Sequence, residues 1–411
     1  MSLDRLRPSW QPGFLVPVVL AAWLAADVGL RALPLDRVSY RVWEALRTFG
    51  AETPFRPNAR YDRPRVYGNL AALGNQPDLR EYHRVVFTTD SLGYHNRPEL
   101  ASRGSVSAML FGSSFSAGSE VSDWESPAAQ IGRAGGREVY NAAPSDPAPA
   151  RVRTLAAQVG MREGGGLVIF ELLESADPPP IIAALPHPRE LRCRVTLGVW
   201  DGRYTCWALT WVSDHLDVSP LQVFAARLYR RLQNDLMLPN AAARHVIRTR
   251  LQSGTELLFL ADERATYHRR RSSEDVLRRL TWLSNRLALQ RQRLLVVLTP
   301  HKYSVYAPLL AEPDTGPAET PRYFAALEAA LRARGIAVVD LLEPLRAAAR
   351  DAATRRGGSL IFWRDDTHWN AAGIAAGARA IATGAQLQHS LQRDTPHTTM
   401  GNTHGESLKK E

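Results

Sequence analysis

From residue 105 onward the chain repeats one pattern: a short apolar run without polar alternation, a turn, then a helical stretch. SVSAMLF ends at Phe111, and Val139 and Tyr140 close a second run. Residues 167–170, 294–298 and 336–339 give three more, and SLIFWRDD holds a short sixth. Strands that are apolar on both faces belong in a sheet covered on both sides. Their alternation with helices selects a parallel α/β sheet. The helices are legible too. Val276, Leu280, Leu283 and Leu287 fall on one face at helical spacing. PRYFAALEAALRARG is amphipathic and closes at Gly335, as a C-cap does.

Around this core the composition changes. The N-terminus places Arg5 and Arg7 before an apolar stretch, broken by Asp27 and Arg31. We expect a cytoplasmic N-terminus over 1–12, a transmembrane signal anchor over 13–34 and an exported remainder. A signal peptide cut near Ala25-Ala26 is the alternative. Residues 35–104 are rich in Pro, Arg and Asn and read as an irregular lead-in. The α/β domain spans 105–387. Residues 178–262 interrupt the alternation and read as an insertion with two Arg-rich helical segments, a cap beside the site. Cys193 and Cys206 lie in it, flanking an Asp201-Gly202 turn. In an oxidising compartment they are able to close a hairpin-like loop. Residues 388–411 are polar and aperiodic, as a disordered tail is.

Lys+Arg is 51 against 41 Asp+Glu, a net charge of +10 carried almost wholly by arginine. That balance suits an anionic polymer or an anionic membrane surface. No zinc-finger spacing, RNP-type aromatic motif or basic helix is present, so nucleic acid is not an expected partner.

Two short stretches carry chemistry. LFGSSFSAG follows the first strand-like run, and FWRDDTHWN follows the last. In an open parallel sheet the loops at the carboxyl ends of the strands meet at one rim. Ser114 and the Asp366-x-His368 pair should therefore meet there: a nucleophile, a general base and the carboxylate that orients it. Asp365 is the other carboxylate available to His368. Asn370 is placed to cap the helix that follows. The G-x-S-x-G elbow does not fit, because residue 116 is Ser. Asp365, Asp366 and His368 lack a second His nearby, so no metal and no cofactor is expected.

FGSSFS resembles the FGDSxS block of the SGNH/GDSL hydrolases, with Ser114 at the nucleophile position. DDTHWN resembles the Asp-x-His-Trp block of the branch that includes the alginate O-acetyltransferase proteins. TDSLGYHN, VYNAAPS around Asn141, FELLESAD and LTPHKYSVY resemble further blocks of that branch, in the same order. The resemblance covers residues 85 to 380. It implies a flavodoxin-like three-layer α/β/α sandwich and acyl transfer through an acyl-serine. It implies Gly112, Ser113 and Asn141 as oxyanion or supporting residues. Beside it, Lys302, a lysine kept after a strand end in an arginine-rich chain, is read toward substrate, with Tyr306 lining the same groove and Trp369 stacking on a sugar ring. The resemblance also implies a membrane-bound O-acyltransferase partner that supplies the acyl group. Three positions depart from the pattern: Ser113 replaces an Asp, Asp146 a Gly, and Ala176 the oxyanion-hole Asn. The expected function is a periplasm-facing, inner-membrane serine O-acyltransferase acting on an exopolysaccharide or other glycan. The alternatives are a carbohydrate esterase, or a degenerate glycan-binding or assembly subunit.

Overall fold

The structure, a computed structural model, describes residues 12–31, 53–102, 106–161, 166–175, 241–355 and 359–393, with a few isolated positions between them. Helix α1 (Pro12–Arg31) exposes Leu15, Val16, Val19, Trp23, Leu24 and Val28. It contains Pro17 and Asp27. No helix among the described residues is long and apolar enough to cross a membrane, so the transmembrane anchor expected over 13–34 is not supported.

The lead-in is more regular than its composition suggests. Strands β1 (Arg60–Val66) and β2 (His83–Thr88) pair antiparallel, from Arg60↔Thr88 to Val66↔His83, and the short helix α2 (Asn69–Leu73) lies between them. The register slips between Arg63 and Val66. That irregularity accommodates Pro64, which has no ladder donor and which disguises the strand in the sequence. Tyr61, Val66, Val85 and Phe87 form the core beneath.

The apolar runs become β3 (Ala108–Phe111), β4 (Val139–Asn141) and β5 (Leu167–Leu173). Between β3 and β4 lie α3 (Ser114–Ala117) and α4 (Pro127–Gly135), and α5 (Pro149–Gln158) follows β4. After β5 the chain leaves the main sheet. There a second hairpin forms from β6 (Val246–Arg250) and β7 (Glu256–Leu260), turning at Gly254 with φ +84°. Within the expected insertion, the described stretch from residue 241 holds a 3-10 turn (Ala241–His245) followed by this hairpin. Helices α6 (Ala261–His268) and α7 (Glu274–Leu289) lead back to β8 (Arg293–Thr299). Then come α8 (Lys302–Tyr306), α9 (Glu319–Arg332), β9 (Ala337–Asp340), α10 (Leu342–Thr354) and α11 (Ala371–Arg393).

The main sheet is wholly parallel, in the order β4-β3-β5-β8-β9. Counted by chain position that is 2-1-3-4-5, the flavodoxin-like order. Ala108, Leu110, Ile169, Leu295 and Val297 pack on one face with residues of α4, α10 and α11. Met109, Phe111, Val168, Phe170 and Val296 pack on the other with α5, α7 and α9. Both faces are covered, which is why these strands read as unbroken apolar runs.

Two expectations are corrected here. The sixth run does not join the sheet: Phe362 bridges Trp369, and 361–370 is a closed loop. Helix α11 continues to Arg393, past the expected tail boundary at 387; the added residues, Gln388–Arg393, contain no Gly or Pro to stop it. Cys193, Cys206, Ala176 and the end of the tail lie outside the described residues.

Candidate active site

The topological switch point of this sheet lies at β3, which has β4 on one side and β5 on the other. β3 delivers the FGSSFS loop to its carboxyl end. Gly112 adopts φ +153°, and a Cβ there would collide with the Glu171 carboxylate. Its N–H and C=O pair with Ser145, at 3.0 Å each. Ser113, not Ser114, caps α3: its Oγ accepts the Phe115 N–H at 3.1 Å. The Ser114 side chain is thereby left exposed at the rim.

The carboxylate missing from position 113 is supplied by the neighbouring strand. Glu171, buried on β5, accepts the Ser113 N–H at 2.7 Å, the Ser113 hydroxyl at 2.9 Å and the Ser116 hydroxyl at 3.0 Å. Burial raises its pKa, and the three donors oppose that. Glu171 lies in the FELLESAD block, but no role could be read for it there, because its partners at 113 and 116 are distant in sequence. Asn141 is equally committed. Its Nδ2 donates to the Ser116 carbonyl at 3.1 Å, and its Oδ1 accepts the Ala143 N–H at 3.0 Å. Gly112, Ser113 and Asn141 thus hold α3 from below, with their donors already engaged. Of the two roles expected for Asn141, oxyanion donor or support, these bonds give it the supporting one. The Ser114 N–H, at the first position of α3, is one of those a helix start leaves without a partner in the helix.

The closed loop 361–370 brings the other half. His368 Nε2 lies 2.8 Å from Ser114 Oγ, across 254 residues of sequence. His368 Nδ1 lies 2.6 Å from Asp366 Oδ1, which also accepts the His368 backbone N–H at 3.1 Å. Asp366 is buried, so these partners assign the tautomer: Nδ1 carries the proton and Nε2 accepts from the serine. Asn370 caps α11 as expected, accepting the Ala372 N–H at 3.0 Å.

The three expected substrate residues lie elsewhere. Lys302 is fully buried, and its Nζ donates to the carbonyls of Leu258, Trp363, Arg364 and Asp366 at 2.7–3.0 Å. It builds the loop that carries Asp366 and has no donor to offer a substrate. Tyr306 is buried, and its hydroxyl accepts the Ile361 N–H at 2.9 Å. Trp369 is 4% exposed, and its Nε1 donates to the Phe115 carbonyl at 3.2 Å, tying the histidine loop to α3. Each is a structural residue, because its polar atoms are spent inside the protein.

Asp365 is not the orienter. Its Oδ2 accepts the N–H groups of Gly68 at 2.8 Å and Glu81 at 2.9 Å. Burial pushes its pKa up to about 6 from 3.8. A raised carboxylate contributes stability that is present below pH ~4 and lost as the pH rises through ~6. The contribution is about 3 kcal/mol at 1.36 per pKa unit. We therefore expect Asp365→Asn to flatten the fall of melting temperature between pH 4 and 7; an unchanged profile would exclude this assignment.

Two further groups at the rim escaped the sequence reading. His301, at the end of β8, is buried, its backbone N–H donates to Glu174 at 2.8 Å, and its Nδ1 has no partner. Burial holds its imidazole below the usual range. Glu120, Asp366 and His368 each bring one ligand atom within 4.8 Å of the others. An ion there would take a nitrogen that His368 gives to Ser114 or Asp366, so metal binding and this hydrogen-bond chain compete.

Residues 255–410 match the family model described as the SGNH hydrolase-like domain of acetyltransferase AlgX. The matched stretch holds Lys302, Asp366 and His368; Ser114 lies upstream of it. Neither the curated proteins nor the solved structures include a match to the chain.

Proposed function

We propose that this chain, with its acetyltransferase-type SGNH domain, is a serine O-acyltransferase that loads an acyl group on Ser114 and passes it to a hydroxyl of a glycan. The observation that supports it is the continuous chain Ser114 Oγ–His368 Nε2, His368 Nδ1–Asp366 Oδ1, at 2.8 and 2.6 Å. The Ser114 proton moves to Nε2 as Oγ attacks the acyl carbonyl. Negative charge develops on the carbonyl oxygen, where the Ser114 N–H is placed to receive it. The intermediate collapses, His368 protonates the leaving group, and the acyl-serine remains. An acceptor hydroxyl then gives its proton to His368 and attacks the acyl-serine, and Ser114 is regenerated. Asp366 stabilises the imidazolium formed in both halves. Water in place of the acceptor makes the same cycle an esterase.

The glycan comes from the match to an alginate O-acetyltransferase domain, and the +10 charge suits an anionic chain. We place the reaction outside the cytoplasm, with a membrane-bound O-acyltransferase as donor partner. Incubation with 4-nitrophenyl acetate and oligosaccharides tests the reading. Acetylated oligosaccharide, detected by mass and absent with Ser114→Ala, is the expected result. Nitrophenol release with free acetate alone makes the protein an esterase. The second reading, a glycan-binding subunit without turnover, is favoured by Ala176 at the Asn position. Oligosaccharide binding with no Ser114-dependent release would establish it.

A further inference from the structure

The carboxylate of Asp366 has two oxygens, and His368 uses one. The other, Oδ2, accepts the backbone N–H of Asn69 at 2.7 Å, from 297 positions earlier in the chain. Asn69 is the first residue of α2, where an N–H has no partner within the helix. The residues beside it do the same for the neighbouring acid. Gly68 N–H donates to Asp365 Oδ2 at 2.8 Å and Leu70 N–H to the Asp365 carbonyl at 2.8 Å. Further along, Glu81 N–H donates to Asp365 Oδ2 at 2.9 Å, and Glu81 Oε2 accepts the Arg364 N–H at 2.7 Å. Five hydrogen bonds thus join segment 68–81 to residues 364–366. The segment is itself held down by Leu70, Ala71 and Leu79, which pack on Leu258 of β7. A Cβ at Gly68 would collide with the Asp365 backbone, so the approach is as close as a chain permits.

We propose that segment 68–81 is a positioning strap for the triad, and that the Asn69 N–H fixes the Asp366 carboxylate against His368. The proposal rests on the reading of Ser114, His368 and Asp366 as a catalytic chain. The strap lies outside both the main sheet and the residues matched to the acetyltransferase domain. The catalytic acid is therefore completed by a part of the chain that the motif carrying it does not include. A carboxylate accepting one donor fewer holds its proton more tightly, and it also draws more strongly on the imidazolium it faces. Both effects move the acid limb of the rate profile to higher pH.

One substitution removes the N–H and little else. Proline is tolerated at the first helical position, and Gly68, at φ −70° and ψ 159°, already has the backbone that a residue before proline needs. In Asn69→Pro a ring carbon stands where the hydrogen was, and the carboxylate must shift. Asn69→Ala keeps the N–H and removes only the side chain. In full-length protein we expect Asn69→Pro to lower kcat for 4-nitrophenyl acetate about 10- to 100-fold, the loss expected of one hydrogen bond to a charged group, with KM little changed. The acid limb moves up in pH, and Asn69→Ala stays within about twofold of wild type in rate. The His368 Nδ1–H resonance in imidazole-proton NMR should shift in Asn69→Pro and not in Asn69→Ala, a readout that needs no turnover. Should Asn69→Pro fail to fold, Gly68→Ala displaces the same strap and is expected to change rate and resonance in the same direction. Wild-type turnover abolished by Ser114→Ala, with a folded Asn69→Pro matching wild type in rate, pH profile and resonance, overturns the strap alone. No Ser114-dependent turnover in wild type, with the resonance still moved by Asn69→Pro, overturns the catalytic reading and leaves the strap standing.

Discussion

Ser114→Ala and His368→Ala should each lower ester turnover by on the order of 10⁴–10⁶, and the double variant should be no slower than either single one. Ser114 and His368 share one hydrogen bond, at 2.8 Å, and one proton. Without the imidazole the hydroxyl has no base; without the hydroxyl the imidazole has nothing to activate. Residues that act as one unit therefore lose their combined effect once. Asp366→Ala should cost less, because His368 keeps Ser114 and loses only its orienting partner. Steady-state kinetics on wild type and these four variants measures this. Single-variant effects that multiply in the double variant would mean that the two residues act separately.

Lys302→Met should destabilise the fold by about 3–5 kcal/mol, the loss expected when one partner of a buried charged network is removed. The buried ammonium donates to four carbonyls, from Leu258, Trp363, Arg364 and Asp366. Methionine fills the stem's volume and leaves all four without that donor. It also strands Glu263, a buried carboxylate that burial pushes up and the lysine charge pulls down. We expect a fall in melting temperature on the order of 10 °C and a loosened 361–370 loop, so that ester turnover drops well below the melting point. Lys302→Arg should not rescue it, because a planar fork cannot meet four carbonyls gathered around a point charge. A variant as stable as wild type would contradict the account of how the Asp366 loop is built.

The Lys302 case shows what the sequence could and could not say. Its segment marked it as special, since Lys302 is one of three lysines in an arginine-rich chain. Sequence names the residue type but not where its hydrogens go, and the unusual lysine proved to be internal. Tyr306 and Trp369 misled for the same reason: an aromatic beside a catalytic motif packs as readily as it binds. The five sheet strands and the pairing of Ser114 with His368 were legible, because buried parallel strands and a nucleophile–base pair impose local patterns. Glu171 and the Asn69 strap were not. Each acts through a contact distant in sequence, and in the strap the donor is a backbone N–H that every residue but proline carries. The β1–β2 pair was hidden by Pro64, and the N-terminal stretch was read as a membrane span on apolar content that the structure does not support as one.

The most direct test is a serine-directed fluorophosphonate on the folded full-length chain, with the adduct mapped by mass spectrometry. The account predicts a single adduct on Ser114 that is absent in Ser114→Ala and strongly slowed in His368→Ala. A folded protein that takes no adduct, or takes it at a serine other than Ser114, would contradict it.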